Sequence, residues 1–112
     1  MIGYLALGLF VATMLMGVLT YRRSHARGRW IPALGVTHAL LGTVALLLLI
    51  TVAVDAANNP WLNSAVFLFG LAMLGGGFAF LVRKRNEAPI LPIVLLHAVM
   101  AVTACLVLLG GL

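Results

Sequence analysis

Apolar residues occupy this chain in four long blocks, and polar residues interrupt them at only three places. The blocks cover about residues 2–21, 31–53, 61–82 and 90–112. Each approaches the roughly 20 apolar residues that an α-helix needs to cross a hydrocarbon core about 30 Å thick. The interruptions read YRRSHARGRW, VDAANNPW and VRKRNEAPILP. Each carries charge, Pro or Asn, the chemistry that ends a helix and turns the chain. The pattern predicts an all-α polytopic membrane protein, a four-transmembrane-helix bundle filling residues 1–112 as one domain. It leaves no room for a separate soluble domain.

Composition agrees with this picture. Hydrophobic residues make up 64% of the chain and charged residues 8%. A soluble domain is about 45–50% apolar and about 25% charged, so these few charges could not cover a water-facing surface. A single cysteine excludes an intramolecular disulfide, and Cys105 lies deep in an apolar run as a small packing residue. The first block has no basic start, and Arg22 and Arg23 follow it directly, so it reads as a span rather than a secretory signal.

Charge adds an orientation. All seven basic residues fall in the first and third joints: Arg22, Arg23, Arg27 and Arg29, then Arg83, Lys84 and Arg85. The positive-inside rule places both joints in the cytoplasm, and both termini and DAANNP on the opposite side, as for a protein of a bacterial inner membrane. The net charge of +5 is then a topology signal that also suits anionic lipid headgroups, and it calls for no nucleic-acid partner. Tyr21, Trp30 and Trp61 flank the spans, where interfacial aromatics belong.

Sliding the chain against itself by 59 residues aligns His38 with His97, Ala39 with Ala98 and Gly42 with Ala101. Ala45 then falls on Ala104, Leu49 on Leu108 and Gly17 on Gly76. The bundle is thus expected to consist of two similar helical hairpins, repeated in the same orientation. His38 lies eight residues past Trp30 and His97 eight past Pro89. At 1.5 Å per residue each imidazole sits roughly 12 Å along its helix, somewhat to the cytoplasmic side of the midplane. Small residues share the face of each: Gly35, Gly42 and Ala45 with His38, Ala101 and Ala104 with His97. Such residues either bring helices close or leave space for a flat ligand.

An ionisable residue inside a membrane is a functional candidate by default. The sharpest chemistry for this pair is axial ligation of one haem b per chain, with an imidazole from each of two helices and Gly35, Gly42 and Ala101 beside them. Arg22, Arg29 and Arg83 are among the basic residues available to anionic propionates. Thr37 or Thr43 could orient a ligand ring through its second nitrogen. The plainer alternative is that each His hydrogen-bonds a neighbouring helix, for about 0.6–2 kcal/mol. A bare zinc or copper site lacks a third protein ligand.

In this respect the chain resembles the bis-histidine membrane cytochromes b, including the b561 group. These hold haem between bundle helices with ligands on helices two apart, as His38 and His97 are. The resemblance rests on the bundle and these two residues; a b561 protein has six helices and two haems, and this chain lacks a second His pair. It implies electron exchange with a quinone or a redox partner subunit. The other function classes are a small transporter or channel and an accessory subunit of a larger complex. Cation-coupled export is disfavoured, because neither acid, Asp55 nor Glu87, lies mid-span. GLAMLGGGFAF leaves a homo-oligomeric pore open, although close helix packing is the plainer use of Gly75, Gly76 and Gly77. No hydrolase triad, carboxylate pair or phosphate loop is present.

Overall fold

The computed structural model describes all residues, 1–112, as four α-helices: α1 (Ile2–Arg27), α2 (Pro32–Asp55), α3 (Pro60–Leu81) and α4 (Leu91–Gly111). All four are long and apolar enough to cross a membrane. The molecule measures 45 × 21 × 17 Å, ample to span a hydrocarbon core of about 30 Å.

Three of the helices begin where a proline favours the first turn: Pro32, Pro60 and Pro92. The Asn59 side chain caps α3 by accepting from the Trp61 and Leu62 N–H groups. The first helix runs six residues beyond the end expected at residue 21. Nothing in YRRSHAR forbids helix, so charge alone does not stop it. Gly28 does, at φ 62°, with the Gly28 N–H donating to the His25 carbonyl and the Arg29 N–H to the Ser24 carbonyl. This is the Schellman pattern, and it satisfies carbonyls the helix end leaves free.

Each helix runs antiparallel to the next around the bundle. Packing is closest within two hairpins, α1 with α2 and α3 with α4; it is sparser between α2 and α3 and between α1 and α4. Across the diagonals the helices meet through side chains. Phe10 of α1 stacks on Phe69 of α3, ring centres 3.4 Å apart and planes within 2°. His38 of α2 meets His97 of α4 on the other diagonal. At the basic end the Trp30 N–H donates to the Asn86 carbonyl at 2.8 Å, tying the two connections together. At the other end the Asn59 amide donates to the Gly111 carbonyl at 3.2 Å.

The contiguous apolar core is small and rich in alanine. Ala6, Ala45, Ala65 and Ala104 are fully buried, with Leu49, Leu108 and the phenylalanine pair between them. Larger side chains such as Leu15, Phe67, Leu74 and Leu106 point outward. That inversion would be a liability in water and is the expected surface in lipid. Buried positions recur at an offset of 59: Ala6 and Ala65, Phe10 and Phe69, Thr13 and Ala72, Thr20 and Ala79, Ala45 and Ala104, Leu49 and Leu108.

The stacked rings share one site, so their losses should couple. Phe10→Ala and Phe69→Ala should each cost about 3–5 kcal/mol from the cavity left behind. The double variant should lose clearly less than the sum, read by denaturant unfolding in detergent. Strict additivity would mean that the rings do not touch.

Candidate functional site

His38 stands in the second turn of α2 and reaches sideways to α1. Its Nδ1 lies 2.9 Å from the Thr13 carbonyl oxygen. His97 does the same from α4 to α3, with Nδ1 2.6 Å from the Ala72 carbonyl oxygen. A carbonyl only accepts, so Nδ1–H is the donor in both bonds. In the neutral ring this leaves the lone pair on Nε2.

Each carbonyl is reachable because of the residue four positions later. In an α-helix the oxygen of residue i accepts from the N–H of residue i+4, and side chains tilt toward the N-terminus, over the preceding turn. A side chain at i+4 would therefore screen the carbonyl. Here those positions are Gly17 and Gly76. The imidazoles occupy the space a side chain would take. A Cβ at Gly17 would lie 2.9 Å from His38 Cε1, and one at Gly76 3.0 Å from His97 Cε1. The motif is a small residue, glycine four later, and histidine 21 after that glycine, written twice: Thr13, Gly17, His38 and Ala72, Gly76, His97.

Both rings are half-buried inside the bundle. Their centres are 6.0 Å apart and their planes cross at 82°. A metal–imidazole bond is about 2 Å and the ring centre lies about 1 Å further, so two imidazoles on one metal ion put their centres about 6 Å apart. The 6.0 Å here equals that separation and is also that of two rings meeting edge to face. No third His, Cys, Asp or Glu completes a group with them, which leaves tetrahedral zinc coordination unfilled.

The surroundings differ on the two sides of the pair. Toward the termini the Phe10–Phe69 stack closes the interior. Toward the basic end the buried residues of α1 and α3 are all small: Thr13, Thr20 and Ser24 on one, Ala72 and Ala79 on the other. Met14 and Met16 of α1 flank this stretch and are half-buried.

The other candidate residues are placed less uniformly. Gly35 is buried under the Trp30 ring, and Gly42 faces the Thr13 methyl, 3.3 Å from a Cβ built there. Gly42 therefore serves the contact of α2 with α1 and Gly35 seats Trp30 of the preceding connection; neither borders an open slot. Ala101 is half-buried one turn beyond His97. Gly75 meets Met100 and the Cβ of His97, whereas Gly77 has open space around it. Thr37 and Thr43 do not orient a histidine: their hydroxyls donate to Ala33 and Ala39 on their own helix. The carbonyls of Thr13 and Ala72 take that role instead. Arg22 and Arg29 are exposed, and Arg22 lies along the outer face of α1 with Leu15, Val18 and Leu19. Arg83 is half-buried; its guanidinium carbon sits 3.9 Å from the Phe80 ring centre and 5.5 Å from that of Trp30, and Nη1 donates to the Phe80 carbonyl. His25 packs at a tilt against Tyr21 at the exposed end of α1.

No protein-family model, curated protein or solved structure matches the chain, so the reading of this site rests on its own residues.

The role of the two glycines is open to test with isotope-labelled protein. Nitrogen NMR should find both histidines with Nδ1 protonated and hydrogen-bonded. Gly17→Ala should shift the His38 signals and leave those of His97 largely in place; Gly76→Ala should do the reverse. Unmoved signals in both variants would show that the rings do not rest on these glycines.

Proposed function

We propose that the chain is a membrane haem b protein that takes part in electron transfer, with His38 and His97 as the axial ligands of one haem. The observation that carries this reading is the facing pair itself. Two imidazoles from diagonal helices stand 6.0 Å apart, each with Nδ1 already engaged by a backbone carbonyl and Nε2 left over. An outer hydrogen bond of this kind fixes the tautomer and orientation of a ligating histidine. Interhelical packing alone would use one nitrogen per ring and gives no reason for two such rings to meet across the bundle.

A bound haem would supply one-electron redox chemistry, and His38 and His97 would hold it. This chain's residues do the rest. Gly17, Gly76 and the two carbonyls hold the rings in place. Phe10 and Phe69 close the interior toward the termini, and the leucine-rich exterior keeps water away. A quinone or a neighbouring redox subunit is the natural exchange partner for a cofactor buried in a bundle with so little extramembrane mass. On this reading the matched buried positions at an offset of 59 reflect two copies of one hairpin, and a single site forms where the copies meet. Both basic connections lie at one end, which the positive-inside rule assigns to the cytoplasm of a bacterial inner membrane.

Protein purified in mild detergent from haem-replete cells should show a Soret band and, when reduced, sharp α and β bands. His38→Ala and His97→Ala should each abolish that spectrum. A colourless, folded wild-type protein would overturn the proposal. For sidedness, Arg85→Cys and Asn58→Cys in a Cys105→Ala background should react with a membrane-impermeant maleimide from opposite faces, Arg85→Cys from the cytoplasm. Labelling of both from one face would refute the topology.

A further inference from the structure

Seven basic residues share one end of the bundle with a single carboxylate, Glu87, since Asp55 closes α2 at the other end. Their countercharge must come largely from outside the chain. The two basic connections hold their cations differently. Arg83 is drawn in against the Phe80 and Trp30 rings, and Lys84 and Arg85 stand in the turns between α3 and α4. Arg22 and Arg23 instead stand on α1 itself, which continues as helix to Arg27. With 26 residues α1 is about 39 Å long, about 9 Å more than the hydrocarbon core. With 22 residues α3 is about 33 Å long, and its last turn holds no basic residue. The first helix alone thus carries cations into the headgroup layer on a rigid rod.

Those two arginines border a groove. Leu15, Val18, Leu19, Arg22, Arg23 and Ala26 line about 400 Å³ of open space on the outer face of α1. Spacings of three and four put them on one side of the helix. The apolar half is exposed, Leu15 by 67% and Val18 by 57%. Side chains tilt over the preceding turn, so residue 26 is the one that would cover the stems of Arg22 and Arg23. As alanine it leaves them open. At the offset of 59 that matches the buried positions, Arg22 and Arg23 fall on Leu81 and Val82. The inward positions of α1 and α3 correspond, and this outward feature belongs to α1 alone.

We propose that this groove binds one anionic phospholipid, independently of the histidine pair. The phosphate sits between the Arg22 and Arg23 guanidiniums, whose planar forks match phosphate oxygens. One acyl chain lies along Leu19, Val18 and Leu15, which reach about 10 Å from Arg22 toward the bilayer centre. The first helix carries no carboxylate, so a headgroup of net negative charge supplies the balance. A zwitterionic headgroup brings a cation of its own and is the poorer partner. A free phosphate would meet the arginines and leave the apolar half of the groove unused. The field of seven cations draws anionic lipid to the whole basic end; the groove holds one molecule at one place.

The test titrates the full-length protein in detergent with phosphatidylglycerol and with phosphatidylcholine of the same acyl chains, and counts bound lipids by native mass spectrometry. Wild-type protein should hold one phosphatidylglycerol and prefer it by about tenfold or more, the worth of hydrogen bonds to a charged group. The double change Arg22→Gln with Arg23→Gln should erase that preference. Lys84→Gln with Arg85→Gln, which removes the same charge from the other connection, should leave it in place. Ala26→Leu keeps every charge and fills the groove, and should weaken binding of the lipid. All five positions are exposed, so none of these changes threatens the fold. Glycerol 3-phosphate, the headgroup chemistry without acyl chains, should not displace the lipid. Equal affinity of wild-type protein for the two lipids would overturn the proposal. So would equal losses in the two double variants, which would mark a diffuse field, unchanged binding in Ala26→Leu, or displacement by glycerol 3-phosphate.

Discussion

A histidine inside a bilayer must give its N–H somewhere to go, and that requirement organises the centre of this molecule. Lipid offers no acceptor, and a helix's own carbonyls already serve its own N–H groups. The solution used twice here is a second bond to a carbonyl of the adjacent helix, made reachable by a glycine one turn further on. The imidazole and the glycine are therefore one device. It fixes the height and rotation of α2 on α1, since a step of one residue along α1 would bring the Met16 or Val18 side chain over the carbonyl; on α3, Gly75 and Gly77 flank Gly76, and that constraint on α4 is looser. Leucine-rich surfaces alone would leave that register free to slip.

The two hairpins thus set are joined differently from the way each is built. Within a hairpin the backbones approach closely; between hairpins contact is sparser, and across the diagonals it falls to two pairs of rings. The phenylalanine pair is apolar and in van der Waals contact. The histidine pair is polar, more widely spaced and bordered on α1 and α3 by small residues. The bundle thus places an apolar ring contact at one level and a polar one at the next.

Much of this was legible in the sequence. Four apolar blocks separated by charge, Pro and Asn suffice for four spanning helices, because a helix in lipid needs little beyond length and hydropathy. The 59-residue offset exposed His38, His97 and the glycine pair. The function of Gly17 and Gly76 was not legible, because it depends on a contact between helices rather than within one. Spacing along α2 put Gly35 and Gly42 on the histidine face, but Trp30 and Thr13 come from elsewhere to cover them. Thr37 and Thr43 looked available to orient a ring, yet a hydroxyl in a lipid-exposed helix finds its own backbone first. The arginines YRRSHAR seemed to end a span and instead continue the helix, since positive charge near a helix C-terminus is favourable and only Gly28 supplies the left-handed turn that stops it.

The sparse seam between hairpins has a consequence for how the site and the fold support each other. Each hairpin carries one imidazole, one glycine and one inward-facing ring, and neither half holds a complete pair. Any group that bonded both imidazoles would link α2 to α4 directly, where the chain has only side-chain contact. Its binding energy is added to the weakest junction in the bundle, and it stabilises the folded state by mass action wherever the unfolded chain cannot bind it. The core that joins the hairpins is small and rich in alanine, so such a link would add proportionally more here than in a bundle whose halves pack closely.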